Sequence, residues 1–518
     1  MKIQAGITRR SRTWEQLLRR EGLPCRTVNL ATGEGMADCS VLIVTHQLDA
    51  SECDTVQEYL RSGGALLACA RHVAGVGGTS VRTEPLHYLA SDGDTVFTTV
   101  RIIDLGTVGD IPREANHLRT HQHHHAVFAG SLLGGPAVLL PFDVQRVLAD
   151  TRTVYKAFYV HRDRLPTERV SMVSRGEVFQ LCHQALEYLH HRRSLPYIHL
   201  WYFPGTAPNV LAFRIDTDGA PRHDIDELYD VLNNAGVAGT WFLDVASHEP
   251  WLPHFATLMG QEFAVHCYEH RIEPDLDRQE AQWERALAMM RRAGLAPLGM
   301  AAPFGTWTTG LGGIIDRLGL LYSSEFSYAY DTVPLVPEDA ERAYRTLQIP
   351  IHPISIGSLR RTGATSKQMI GYYRSTIDAH MARNIPLFFY HHPSHHHWDV
   401  VDGLLKHALL QDVPGILMGD FAFWWLARGR LSVQFDVRES VLQVGNAEAA
   451  AEARVGIHVS LSATHTLLLP SSATILLDSR ESTLRKAPHV PDDLRRIREP
   501  DPRRMLGDLY TRMLRRLK

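Results

Sequence analysis

The chain has 518 residues, of which 44% are hydrophobic and 21% charged, enough apolar material for sizeable cores and a length that suggests two to four domains. Fifty-four Lys plus Arg against 57 Asp plus Glu give a formal charge of -3, which excludes both a global basic field for nucleic acid and an acidic tail. Histidine is the unusual count, at 29.

The opening "MKIQAGITRRSRTWEQ" lacks an apolar core of signal-peptide length, and no later stretch approaches the roughly 18 to 20 apolar residues of a membrane span. A cytoplasmic protein without a transmembrane segment is the expectation. Cys25, Cys39, Cys53, Cys69, Cys182 and Cys267 form no CxxC pair, which fits reduced thiols better than disulfides or a zinc ribbon.

From the start, "KIQAGI", "TWEQLLRREG", "CRTVNL", "SVLIVTH", "SECDTVQEYLRSGG" and "ALLACA" alternate strand and helix periods. This βαβ rhythm predicts an open parallel sheet of flavodoxin-like type. The stretch "YLRSGGALLACA" resembles amidotransferase-like domains, in which a helix ends at glycines before a buried strand. "LACARHVAG" lacks the flanking glycines of a nucleophile elbow, so Cys69 reads as a core cysteine and the domain, residues 1–199, as non-catalytic. Farther on, "TVFTTVRIIDLG" and "PAVLLPFD" look like strands. The tract "HQHHHAVF" has metal-binding residue types, but clustered histidines without acidic neighbours are more often a solvated loop. The helical "SRGEVFQLCHQALEYLHHRR" then leads to a boundary near residue 200.

Between 200 and 430 the βα pattern repeats about seven times, through "NVLAFRID", "AGTWFLD", "EFAVHCYEH", "GMAAPFG" and "IPLFFYHHP" among others. That count predicts a closed or nearly closed, distorted (β/α) barrel whose polar strand ends gather at one face. Residues 431–518 change to short alternating segments such as "LSVQFDVRESVLQVGN", which predict a small β domain, ending in the basic amphipathic tail "DDLRRIREPDPRRMLGDLYTRMLRRLK", read as a helix packed on its own domain.

The predicted strand ends carry the chemistry. "FRIDTDG" places Asp216 and Asp218 one residue apart after an apolar run, and "HCYEH" places His266 and His270 four apart after another. One carboxylate and two imidazoles suit a zinc or similar divalent site with an open position, and a second carboxylate beside it is placed to take a proton from water. His395, His396 and His397 read as a loop rim, because three adjacent histidines cannot all face one ion. His352, after a strand-like run, reads equally as groove lining or as a hydrogen-bonded structural histidine.

These motifs, in this order over about 210–430, resemble the polysaccharide deacetylase family, metal-dependent carbohydrate esterases on a deacetylase-type barrel. The resemblance implies Asp216 as catalytic base, Asp218, His266 and His270 as metal ligands, and His392 of "YHHP" as general acid, with His391 the second choice. The implied ion is Zn2+, with Co2+, Mn2+ or Ni2+ as alternatives. "AAPFG" looks like the third motif, a wall of the groove, so Pro303 and Phe304 would line it, with Trp307 and Trp398 on the following loops placed to stack on sugar rings.

The family's third motif opens with an arginine that pairs with the catalytic aspartate, and Ala301 stands there. The fourth motif is not recognisable; "YSSEFSYAYD", with Glu325 and Asp331, lies about where it belongs and offers a substitute. Arg214 and Arg222 flank the first motif, and the sequence alone does not say whether either reaches Asp216. The implied activity is removal of an acetyl group from an N- or O-acetylated sugar or glycan, or from an acetylated small molecule. Two alternatives stand beside it: an amidase on a non-carbohydrate amide, and a degenerate barrel acting as a scaffold, which Ala301 keeps open and the intact Asp216, Asp218, His266, His270 and His392 argue against. No nucleic-acid partner is expected, and the sequence leaves the oligomeric state open.

Overall fold

The computed structural model describes residues 1–91, 93–158, 166–477, 482–484, 498 and 506. They form two compact units whose segments alternate along the chain. Met1–Asp150, Val173–Thr206 and Trp424–Pro488 make the first; Thr151–Met172, Ala207–Phe423 and His489–Lys518 make the second. Apart from Arg498 and Leu506, the tail read as a basic helix lies outside the described residues.

The first unit is organised by a nine-stranded sheet. Its parallel part runs, in spatial order, Cys25–Thr27, Ala5–Ile7, Val41–Val44, Leu66–Cys69 and Gly135–Leu140. Four of these five strands are buried throughout, which is why they read as continuous apolar runs rather than alternations. The helix Arg12–Glu21 starts where the Ser11 side chain accepts from the Trp14 N–H and stops at Gly22, whose φ of 78° a side chain would resist. Beyond Gly135–Leu140 the sheet turns antiparallel through His125–Leu132, His117–Thr120, Val81–Ala90 and Ile102–Pro112. The histidine tract is the turn between His117–Thr120 and His125–Leu132, with His123 and His124 exposed, as a solvated loop requires. Cys69 ends a buried strand, and burial pushes its thiol up to about 12, so it is no nucleophile.

The segment at the expected boundary near 200 is itself a strand, Tyr197–Pro204, paired antiparallel with Val455–Ser460, which in turn pairs with His465–Leu469. Gln434–Arg438, Val441–Gly445 and Thr474–Leu476 make a separate three-stranded antiparallel sheet. Beneath these strands lies a buried polar cluster. Glu21 accepts from the Tyr202 hydroxyl at 2.8 Å and from the Tyr197 hydroxyl at 2.5 Å, while His183 Nδ1 lies 2.7 Å from its Oε1. His199 donates from Nδ1 to the Leu200 carbonyl, leaving Nε2 to accept from His458 Nδ1 at 3.0 Å.

The second unit is a curled sheet of seven parallel strands: β1 (Leu211–Asp216), β2 (Gly239–Asp244), β3 (Glu262–Cys267), β4 (Gly299–Met300), β5 (Tyr322–Ser323), β6 (Leu347–Gln348) and β7 (Leu387–His391). Their spatial order is β6-β5-β4-β3-β2-β1-β7. The barrel expected from the sequence is not closed by a strand ladder. β4, β5 and β6 are only two residues long, and the two edges meet where the His352 N–H donates to the Phe388 carbonyl at 2.8 Å.

The period of two sorts these strands into faces. Leu211, Phe213, Ile215, Trp241, Leu243, Val265, Leu387 and Phe389 belong to the core shared with the surrounding helices. Each large side chain so buried contributes about 1.5–3 kcal/mol, so the register of β1 is strongly specified. The residues between them, among them Arg214, Asp216, Phe242, His266 and Tyr390, are therefore forced to the inner face. Helices Arg222–Ala235, Leu276–Arg292, Thr309–Leu318, Ser366–Met381 and Trp398–Leu409 cover the outside.

Candidate metal centre

β1 carries its last inward residue, Asp216, to the rim and then turns. Thr217 fixes that turn: its Oγ1 takes the Asp244 N–H at 3.0 Å and its own N–H donates to the Phe242 carbonyl. Asp218 follows at φ 37°, a left-handed conformation that the turn into Gly219 imposes and that an aspartate tolerates better than most residues.

Asp218 is where the imidazoles converge. His266 Nε2 lies 3.2 Å and His270 Nε2 3.3 Å from its Oδ1, and His392 Nε2 lies 3.3 Å from its Oδ2. His266 ends the inner face of β3, and its Nδ1 is 2.6 Å from the Ala301 carbonyl oxygen. Since a carbonyl only accepts, Nδ1 carries the hydrogen and Nε2 is turned to Asp218. Ala301 thus serves the site through its backbone. Burial alone would raise the Asp218 carboxyl, but His392, His266 and His270 hold it well below the usual carboxylate range. Burial, with His266 beside it, lowers His270.

Asp216 has a different environment. Arg214, two residues earlier on the same face of β1, donates Nε to Asp216 Oδ1 at 2.6 Å and Nη2 to Oδ2 at 2.7 Å. Its third nitrogen, Nη1, donates to the Ser324 carbonyl at 2.6 Å. The guanidinium lies between the rings of Phe242 and Tyr390, 4.8 and 5.6 Å from their centroids. A strand residue therefore supplies the pairing charge that Ala301 lacks. Arg222 does not reach Asp216; it pairs with Asp226 on its own helix.

The other expected residues separate. Glu325 is fully buried, takes the Ala302 N–H at 3.0 Å, and leaves Oε2 without a hydrogen bond. Burial pushes its carboxyl up to about 7, although the Ala302 N–H and the nearby Arg214 pull the other way. Pro303 is buried, whereas Phe304 is 45% exposed with its ring edge-on to His270, 4.9 Å between centroids. His391 shares the outward parity of Leu387 and Phe389; it is fully buried and burial depresses its pKa strongly, so it is turned from Asp218. Two tryptophans are corrections. Trp307 is buried against Tyr328 and Tyr344 in the core, out of reach of a sugar ring. Trp398 packs on the outer core and donates Nε1 to Glu227, a layer away from the inner face. A residue sequence reasoning passed over as rim, His395, comes within 4.8 Å of the His392 ring, and burial with His392 lowers it to about 3.

The donor set fits a divalent ion. Asp218 Oδ1 is buried and has no hydrogen bond, although two imidazole nitrogens stand within 3.3 Å of it. Asp218, His266 and His270 can each present one ligand atom to a common point. A buried carboxylate oxygen left unbonded among converging nitrogens is costly unless a cation joins them.

No family model matches this chain, and no curated protein matches it. Three solved structures with likeness to it are a protein from Mycobacterium smegmatis described as a polysaccharide deacetylase, a family 4 carbohydrate esterase from Streptomyces lividans in complex with acetate, and a pseudoenzyme of the same esterase family from Bacillus anthracis. Their identities are 17%, 13% and 13%, with 46%, 41% and 41% of this chain covered. The shares of those chains covered are 96%, 95% and 65%, and the TM-scores 0.39, 0.30 and 0.30.

Proposed function

We propose that the second unit is a metal-dependent hydrolase that removes an acetyl group from an N- or O-acetylated sugar or glycan. The observation that carries this reading is the division of labour between two carboxylates one residue apart. Asp216 has both oxygens engaged by Arg214 and is thereby turned from ligation, whereas Asp218 Oδ1 lacks a hydrogen bond amid His266 and His270.

Asp218, His266 and His270 would hold the ion, Zn2+ by their N/N/O set, with Co2+, Mn2+ or Ni2+ as substitutes. When bound, such an ion supplies Lewis-acid activation of water and of the acyl carbonyl. Asp216 is the base: each oxygen bonded to Arg214 keeps a further lone pair to accept a proton from the attacking water. Arg214 fixes the direction of that lone pair and stays charged, because Asp216 outweighs the effect of burial on it. His392 is the acid, returning a proton to the leaving amine or alkoxide. It approaches Asp218 through the opposite carboxylate oxygen from the two ligands, which supports a role apart from theirs. Phe304 offers an exposed ring beside His270 for the substrate. With Arg214 paired to Asp216, Ala301 no longer favours a degenerate scaffold.

The test is elemental analysis of the wild type and of His266→Ala and His270→Ala, alongside acetate release from a panel of N-acetylated sugars. Both variants should lose one equivalent of ion relative to the wild type and all acetate release. Unchanged metal content in both would overturn the reading.

A further inference from the structure

We propose that Asp331, His352 and His380 form a second divalent-metal site, at the seam where the curled sheet meets itself. The three residues come from three separate stretches: the loop after β5, the segment after β6 and the last turn of the helix Ser366–Met381. They present one oxygen and two nitrogens to a common point, with His352 Nδ1 2.9 Å and His380 Nε2 3.5 Å from Asp331 Oδ1.

The hydrogen bonds around them argue for an ion. His380 Nδ1 lies 3.3 Å from the Pro386 carbonyl, which can only accept, so that nitrogen carries the hydrogen. Nε2 is therefore the nitrogen left to turn to the Asp331 carboxylate, 3.5 Å away, a separation that a cation held by both would bridge. His352 Nε2 is 2.7 Å from the Tyr372 hydroxyl, which leaves Nδ1 as its ligand atom. A ligating histidine characteristically holds a fixed partner on its other nitrogen, and both rings have one. The rings are 5% and 4% exposed and the carboxylate 20%, so an ion would enter past Asp331.

The donor set suits Zn2+ and tolerates Co2+. An ion here would staple the seam, because the His352 N–H is the group that reaches the Phe388 carbonyl and the His380 ring stacks on Phe389. Neither residue touches Asp216 or Asp218 in the mechanism above, so this site stands or falls separately from that one.

The experiment loads the full chain with Zn2+, removes free metal by dialysis and counts bound ions. Two per chain are expected in the wild type, one in the His266→Ala/His270→Ala double variant, and one in Asp331→Asn and in His380→Ala. The double variant decides the matter even if the seam variants misfold: no residual ion overturns the second site, and one retained ion supports it. With Co2+ in that double variant, visible d–d absorption that is absent when Asp331→Asn is added places the ion at the seam; absorption that persists overturns the assignment. A double variant that keeps both ions, with Asp331→Asn losing one, would instead overturn only the ligand roles of His266 and His270.

Discussion

Glu21 in the first unit and Asp218 in the second are both carboxylates among imidazoles, the first fully buried and the second half-buried, yet their hydrogen bonds differ. Glu21 is bonded by Tyr197, Tyr202 and His183, and the neighbouring His199 passes its own hydrogen to one acceptor and receives another from His458. At Asp218, Oδ1 has no hydrogen bond, and of the two ring nitrogens that face it, that of His266 is oriented by the Ala301 carbonyl on the far side of its ring. Residue types alone would rank the two clusters equally, and both can bring three ligand atoms together. Saturation separates them. Glu21 thus sits in a structural network, whereas Asp218 keeps a place for a ligand.

The sharpest way to break this comparison is at the base. Asp216→Asn should lower acetate release on the order of 10²- to 10⁴-fold while bound metal is unchanged. Near-normal turnover would remove Asp216 from the chemistry. His392→Ala should likewise lose turnover and keep its metal; metal loss would instead make His392 a ligand.

Next in size is stability. Arg214→Ala strands a buried carboxylate, and chemical denaturation should report a loss of about 3–5 kcal/mol. Glu21→Gln should cost about 1–3 kcal/mol through its unmatched hydroxyl and imidazole partners, with metal content untouched. If Glu21→Gln released an ion, saturation would be a poor guide to function.

The smallest effect depends on pH. The Glu325 carboxyl moves from 4.5 to about 7, so the folded protein holds that proton more tightly than the unfolded chain, and stability falls as pH rises between those values. Glu325→Gln removes that loss. At pH 8 the variant should exceed the wild type by up to about 3 kcal/mol relative to their difference at pH 4, measured by urea melts. An identical difference at both pH values would show that folding leaves the proton affinity of Glu325 unchanged.

Much of the second unit was legible because apolar runs that end in polar residues mark the rim of a parallel sheet. Asp216, Asp218, His266 and His270 were readable on that ground. The pairing of Arg214 with Asp216 was signalled too, since residues two apart on a strand share a face and "LAFRID" contains a charge that the inner face must accommodate. What was missing was the length of the arginine's reach, which no periodicity encodes. Trp307 was misjudged because a position next to a motif loop says nothing about which way a ring turns, and here the core of Tyr328 and Tyr344 claims it. The seam cluster of Asp331, His352 and His380 left no local pattern, because its members meet only through tertiary folding. In the first unit, the antiparallel strands Val81–Ala90, His117–Thr120 and His125–Leu132 were obscured by mixed burial patterns, and no periodicity could pair Tyr197–Pro204 with a partner some 250 residues later.

Placing the guanidinium on the same strand as its carboxylate has a further consequence. Arg214 and Asp216 are separated by a single pleat, so any motion of the strand carries both, and side chains of the wall after Ala301 can change while its backbone keeps its bonds to His266 and Glu325. An engineer could therefore graft new substrate preferences onto the Ala302–Gly305 wall while the proton acceptor keeps its geometry, a separation of specificity from reactivity that an arginine anchored in that loop would not permit.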